Sequence, residues 1–305
     1  MKRSAFSMIE LIFVIVIMGI IGKFGVEFLA QSYKNFIFSS INNRLQADSA
    51  FSVEYIAARL QYRIKDSVIA RKILTSPATA PDTVPINQAS GSNYNVIEWI
   101  ATDVEGFRGL SSVGTPYLPS WSGIIDLYNL ASTTTNLVSP STNTGDIDTL
   151  IKALSYGNSN IADAAIYSIG ANSDVMNSFG WSGALTQSGI MHPITSVVGQ
   201  PTQFTSSNGN NFSGSDISEY YKLSWTANAI EYKDNGTGKS GTLTFYWDYQ
   251  PWNGETAAQN AKSAVIMENV STFQFKAIGS IMKIQVCTKS TIIEEYSLCK
   301  EKTIL

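Results

Sequence analysis

The chain has 305 residues, enough for one large domain or two ordinary ones, and 44% hydrophobic with 11% aromatic residues can fill a core, which excludes wholesale disorder. Only 15% of residues are charged, the net charge is -3 and the pI is about 5.3, which argues against a nucleic-acid binder held by phosphate neutralisation. One histidine, His192, and two cysteines, Cys287 and Cys299, remove most imidazole chemistry and cannot by themselves build a zinc site or an iron–sulfur cluster.

Charge and punctuation divide the chain. Residues 1–72 carry 10 Lys+Arg against 5 Asp+Glu, whereas the remainder carries 11 against 19. All nine prolines lie at or after Pro77, and no glycine falls between Gly25 and Gly91. A stretch of about 50 residues without either punctuator predicts a long helix. The boundary between helix and head is expected near residue 75.

The first residues read Met1-Lys2-Arg3-Ser4-Ala5, then Phe6-Ser7-Met8-Ile9-Glu10, then an apolar run from Leu11 to Ile21. As a helix, Phe6 to Gly22 spans roughly 25 Å, near the short limit for a bilayer. Phe24 to Ala30 can extend the span past a snorkelling Lys23. Lys2 and Arg3 predict a cytoplasmic N-terminus with the remainder outside. The alternative is a conventional secretory signal cut after Ala30, where the bulky Phe28 does not fit the small-x-small pattern. Glu10 demands an explanation, because a carboxylate at mid-bilayer costs about 2.5 kcal/mol or more. It is expected either to be solvated near the headgroups or to meet a positive group from another chain.

The segment Ala5-Phe6-Ser7-Met8-Ile9-Glu10-Leu11-Ile12 and its apolar continuation resemble the type IV prepilin N-terminal signature. That signature joins a short basic leader to a small residue and a phenylalanine, with glutamate four residues later. The resemblance implies cleavage by a prepilin peptidase between Ala5 and Phe6 and N-methylation of Phe6. It also implies that Glu10 pairs with the new amino group of a neighbouring subunit as a filament grows. Ala5 departs from the pattern, which has glycine at this position.

From Ile37 onward, Ile37, Ile41, Leu45, Val53, Ile56, Leu60, Ile64 and Val68 recur at steps of three or four, broken once at Ser49. That is one face of a helix. Residues 53–72 are expected to pack on the head, and residues 24–50 on other helices in a filament. Between Thr75 and Asp216 the chain is rich in Ser, Thr, Asn and Gly, with strand-like runs at Tyr94–Ala101, Gly123–Tyr128 and Ala164–Ile169. A short helix is expected at Asp148–Leu154, capped by Asp146 or Asp148. Ser132–Asn143 reads as a mobile loop.

Later strands are predicted at Tyr220–Tyr232, Thr242–Tyr249, Ala264–Val270, Phe273–Ala277 and Met282–Cys287, forming an antiparallel meander over one side of the helix. Cys287 and Cys299 enclose a short loop and are expected to form a disulfide in an oxidising compartment. The long helix, the late meander and Val265-Ile266-Met267-Glu268-Asn269-Val270 before Phe273-Gln274-Phe275 resemble the minor pseudopilins of type II secretion, first the J-like subunit and second the W-type minor pilin. Residues 78–215 are larger than that type implies.

Enzyme motifs are few. Gly236-Thr237-Gly238-Lys239-Ser240-Gly241 fits G-x-G-x-x-G, but strand-like sequence follows it, so a hairpin turn is expected rather than a dinucleotide site. Lys233 stands where a P-loop needs its first glycine. Asp234 and Asn235 offer oxygen ligands to calcium without EF-hand spacing. His192 has no nucleophile pattern nearby, and the acidic pairs Asp146/Asp148 and Glu294/Glu295 are ordinary surface features. Tyr246, Trp247, Tyr249 and Trp252 read as core alternation before a sugar or partner platform.

The expectation is an α+β, pilin-like fold with no catalytic residue, cofactor or metal. Its parts are a leader (1–5), a transmembrane helix (6–30), a stalk helix (31–75) and a periplasmic head (76–305) with a large loop-rich middle insertion. The resemblance implies a structural minor subunit whose partners are the prepilin peptidase, other pilin-like subunits, the inner membrane and secretion cargo, with no nucleic acid bound directly. A minor pilin of a type IV pilus or DNA-uptake system is the first alternative. A secreted or tethered hydrolase or carbohydrate-binding protein is the second.

Overall fold

A computed structural model describes residues 7–74, 82–89, 93–109, 118–170, 174–183, 185, 190–207, 211–212, 217–236, 240–290 and 296–305. The class is α+β: a long N-terminal helix, α1 (Met8–Leu60), precedes antiparallel sheets. The chain forms two compact units, one up to Asp48 and one from Ser49 to Leu305.

In the first unit α1 presents apolar side chains on every face, and Leu11, Phe13, Met18, Phe24 and Phe28 are all exposed. In the second unit its last three turns carry the expected stripe. Val53, Ile56, Ala57 and Leu60 are buried in a core with Ile97, Trp99, Ile230, Leu243, Val270 and Ile284. The break in the stripe has a use: Ser49 and Ser52 are buried too, and Ser52 Oγ donates to Met267 Sδ at 3.1 Å. Small side chains there let a strand approach the helix.

The helix ends at Leu60 rather than near residue 75. Ile64 and Val68 continue the periodicity but leave the helix, because a strand edge captures their backbone. Ile64 N donates to Ile100 O at 2.9 Å, Thr102 N to Tyr62 O at 2.9 Å, and Ile86 N to Val68 O at 3.1 Å. Arg63 closes the helix, its guanidinium donating to Leu60 O and Ser280 O at 2.7 Å each. Ile69–Arg71 then becomes β1, followed by β2 (Thr83–Pro85) and β3 (Val96–Ala101). Tertiary pairing outweighs the helical pattern here.

Late in the chain come β9 (Thr226–Asp234), β10 (Gly241–Trp247), β11 (Lys262–Ile278), β12 (Ile281–Lys289) and β13 (Ser297–Ile304). With β1 to β3 they form one sheet of eight strands in the order β13-β12-β11-β10-β9-β3-β1-β2, all antiparallel. Strands β9 to β12 are the expected meander, β13 is a further strand that the sequence reading did not include, and Val53 to Leu60 of α1 pack on the sheet. The two runs expected at Ala264–Val270 and Phe273–Ala277 are one strand with a register shift between Val270 and Thr272. The glycine-rich segment joins β9 to β10 as a hairpin with Asp234 opposite Gly241, and Thr237, Gly238 and Lys239 lie outside the described residues.

The middle of the chain is more ordered than expected. Between β3 and β9 come α2 (Val104–Phe107), β4 (Asn136–Val138), α3 (Thr144–Leu154), β5 (Ala165–Ser168), β6 (Met191–Val197), β7 (Gln200–Ser206) and β8 (Tyr221–Ser224). These strands form a second sheet in the order β4-β7-β6-β5-β8, over a core that includes Ile147, Ile151, Ile166, Ile194, Phe204 and Leu223. Ser132–Asn143, expected to be mobile, contains β4, whose Leu137 faces Phe204. The run Tyr220–Tyr232 is divided at Trp225, with β8 in one sheet and β9 in the other.

Two local expectations are corrected. Gly123–Tyr128 is not a strand, because the Asp126 carboxylate accepts from Tyr128 N at 3.2 Å and its carbonyl from Ser132 Oγ at 2.6 Å, which bends the chain. The helix expected at Asp148 begins one turn earlier. Asn143 is its cap, accepting from Gly145 N and Asp146 N at 3.0 and 3.3 Å, while Asp148 pairs with Lys152 at 2.6 Å.

Cys287 and Cys299 form the expected disulfide, joining directly opposed residues of β12 and β13 with Cα atoms 4.0 Å apart. It ties down a sheet edge. Cys287→Ser is therefore expected to cost the oxidised protein about 3 kcal/mol, or roughly 10 °C in Tm. Thermal melts with and without reductant check this: reductant should lower the wild type to the variant's Tm and leave the variant unmoved.

Candidate functional site

The expected site lies at the beginning of α1. Ala5 and Phe6 lie outside the described residues, which begin at Ser7. Ser7 and Glu10 form a reciprocal cap. Ser7 N and Ser7 Oγ donate to Glu10 Oε2 at 2.9 and 3.0 Å, and Glu10 N donates back to Ser7 Oγ at 3.4 Å. Ser7-Met8-Ile9-Glu10 is a capping box, S-x-x-E, standing immediately before an apolar run. The pattern was present in the sequence; reading Glu10 as either solvated near the headgroups or met by a positive group from another chain passes over Ser7.

The cap changes what Glu10 requires. A carboxylate in the first turn interacts favourably with the helix dipole and accepts orphan donors there. Both donors reach Oε2, and Oε1 accepts no hydrogen bond from the described residues. The side chain is exposed. One oxygen thus organises the helix start, while the other has no donor among the described residues. An ammonium arriving at Oε1 would find the carboxylate already oriented.

Behind the cap, α1 is long and apolar enough to cross a membrane, with a mean hydropathy of 2.3 over its best 18-residue window and none of that window buried. Met8 to Ala30 spans roughly 34 Å at helical rise, enough for a hydrocarbon core. Lys23, which interrupts the run, lies 3.9 Å from Glu27 one turn later. Pairing offsets part of the cost of placing either charge near the bilayer, so the span need not stop at residue 22.

The remaining candidates serve the fold. Asp234 Oδ1 accepts from Gly236 N at 2.9 Å in the hairpin turn. Among the described residues no group of three or more His, Cys, Asp or Glu side chains is arranged to hold a metal. His192 is buried in β6, edge-on to Phe212 with ring centres 6.0 Å apart. Glu294 and Glu295 lie outside the described residues. Tyr249 and Trp252 are buried in a core with Phe179 and Trp181, whereas Trp247 lies on the opposite side of β10, packed beside the helix core.

A buried pair that sequence reading passed over is Arg71 and Glu98, on β1 and β3. Arg71 Nη1 lies 2.9 Å from Glu98 Oε2, and both side chains are almost wholly removed from solvent. Tyr249 OH donates to the other oxygen at 3.5 Å. Burial pushes the Glu98 carboxyl above its usual range, and Arg71 and Tyr249 pull it back. Charged residues within otherwise apolar strands were the available signal. Comparison of the chain with family models, with curated proteins and with solved structures finds no match.

Proposed function

We propose that the chain is a non-enzymatic, membrane-anchored structural subunit of a pilin-like filament, of the type II secretion or type IV pilus kind. In this reading a prepilin peptidase removes residues 1–5, Phe6 becomes the methylated N-terminus, and the head faces the periplasm. The apolar half of α1 stores the subunit in the inner membrane and later packs among neighbouring helices. The head meets other subunits or secretion cargo. The observation that carries the reading is the start of α1: a capped helix whose Glu10 Oε1 accepts no hydrogen bond from the described residues, leading into an uncovered apolar span.

Glu10 should select the register at which a subunit leaves the membrane, since an ammonium of the preceding subunit would pair with it away from water. Two substitutions separate that role from the cap. Glu10→Val is expected to insert normally yet lose at least about tenfold in the sheared filament fraction, on the scale of one charge-assisted contact. Ser7→Ala removes the hydroxyl of the cap, worth about 1 kcal/mol of helix stability, and keeps the carboxylate. It should assemble nearly as the wild type does. Wild-type incorporation of Glu10→Val would sink the pairing, and a mature N-terminus other than Phe6 would sink the processing on which it depends.

A further inference from the structure

The Ser49–Leu305 unit contains a cleft of about 630 Å³ that none of the roles above uses, a volume suited to a small ligand. It lies between the last turns of α1, the faces of β9 and β10, and the loop after α3. Three features of it point to a ligand.

The first is a polar stretch of wall. Asn228, on β9, is 4% exposed and lines the cleft. Thr102 lines it too, with a buried hydroxyl that has no partner among the described residues. Buried polar groups are nearly always satisfied, so an orphaned hydroxyl beside an amide on one concavity marks a place for hydroxyl or amide partners. An amide offers two donors and an acceptor, which suits vicinal hydroxyls.

The second is a pair of guanidiniums without carboxylate partners. Arg59 stands over the rings of Tyr55 and Phe245, 5.4 and 5.6 Å from their centres, and Arg108 stands 5.0 Å from the centre of Tyr62. Neither forms an ion pair among the described residues. Stacking fixes each fork and leaves donors for an anion. Among the described residues that line the wall Glu105 is the one acid, so this lining is cationic in a chain of net charge -3.

The third is an aromatic wall. Phe245 and Trp247 lie parallel with centres 5.4 Å apart, Tyr55 meets Phe245 edge-on at 5.6 Å, and Tyr156 stands exposed at the rim beside Lys262. Phe245 is itself buried beneath Arg59, so the faces of Trp247 and Tyr156 are the ones left for a flat, weakly apolar surface.

These features exclude the common alternatives. Extended peptides gain affinity by adding a strand, but β9 and β10 are each hydrogen-bonded on both sides and offer no free edge. Nucleic acid needs a cationic track along its backbone, and two arginines opposed by Glu105 are not one. We propose that the cleft binds an acidic saccharide. The guanidiniums of Arg59 and Arg108 take uronate carboxylates, Trp247 and Tyr156 take pyranose faces, and Asn228 takes ring hydroxyls.

The test uses the full chain in a detergent without a sugar headgroup, titrated with tetragalacturonate. Trp225 and Trp247 line the cleft and report by fluorescence, and calorimetry gives the affinity. Saturable binding at about 1 mM or tighter is expected, with maltotetraose at least about tenfold weaker. Asn228→Ala and Arg108→Gln should each weaken tetragalacturonate about tenfold or more. Arg108 is exposed, so its replacement leaves the fold intact. No saturable signal by about 10 mM, equal binding of maltotetraose, or unchanged binding by either variant would overturn the proposal. So would tighter binding of a polyglutamate peptide or an oligothymidylate.

Discussion

Arg71→Met is expected to lower the unfolding free energy by about 3–5 kcal/mol, because it leaves the Glu98 carboxylate buried beside an apolar side chain. Glu98 sits on a strand hydrogen-bonded on both sides, between β9 and β1, where water cannot replace the guanidinium. The loss should depend on pH. Burial already raises the Glu98 carboxyl above its usual 4.5, and without Arg71 it rises further. The folded protein then holds a proton that the unfolded chain releases, so stability falls as pH increases above about 4.5. Denaturant titrations at pH 4 and pH 8, taken as about those values, should show the larger deficit at the higher pH. Replacing both residues, with Met at 71 and Leu at 98, should recover most of the stability, since an apolar pair of similar volume has no charge to desolvate. A double variant that loses as much as Arg71→Met and Glu98→Leu together would show that the pair is not coupled.

Gly180→Ala should cost about 3 kcal/mol or more, through a backbone reason and a steric one. Gly180 has φ 86°, in the left-handed region, and a Cβ there would stand 2.3 Å from Pro251 O and 2.7 Å from Trp252 N. Those atoms belong to a rigid turn whose Trp252 shares a core with the neighbouring Phe179 and Trp181. Gly170 separates the two costs. Its φ is 92°, yet nothing lies within 4 Å of the corresponding Cβ position. Gly170→Ala should therefore pay only for the left-handed backbone, about 1–2 kcal/mol. Equal changes in Tm for the two variants would mean that the approach to Pro251 does not matter.

The parts legible in the sequence are those that a local period determines. Val53, Ile56 and Leu60 announce the buried face of α1, and Thr272 to Lys276 announce a strand by alternation. Periodicity failed where distant backbone intervened. Ile64 and Val68 extend the helical stripe perfectly well, but the end of β3 takes the hydrogen bond of Ile64 and Ile86 N takes the carbonyl of Val68. Trp225 leaves no mark as a division between sheets, because the strand pattern is alike on both of its sides. The candidate site divides in the same way. Glu10 and its apolar run were readable directly, and Ser7 was readable through the capping box. The cleft was not, since Arg59, Arg108, Asn228 and Trp247 come from four segments that only the fold assembles. Arg71 and Glu98 pair across neighbouring strands, and no spacing rule links them.

The second sheet leaves the first at β3 and returns at β9, and those two strands lie side by side, with Ile97 opposite Ile230. The intervening layer is thus a closed excursion whose two ends meet at adjacent rungs of one ladder. Closing a long loop costs chain entropy that grows only slowly with length, so layers of very different size could occupy this place without altering the ladder. Kinetics are affected more than stability, because pairing β3 with β9 is a contact of high sequence separation. If the excursion collapses onto its own core of Ile147, Ile151 and Phe204 first, its ends are brought together before the ladder forms. The layer that enlarges the head would then also act as the clasp that lets the larger sheet close.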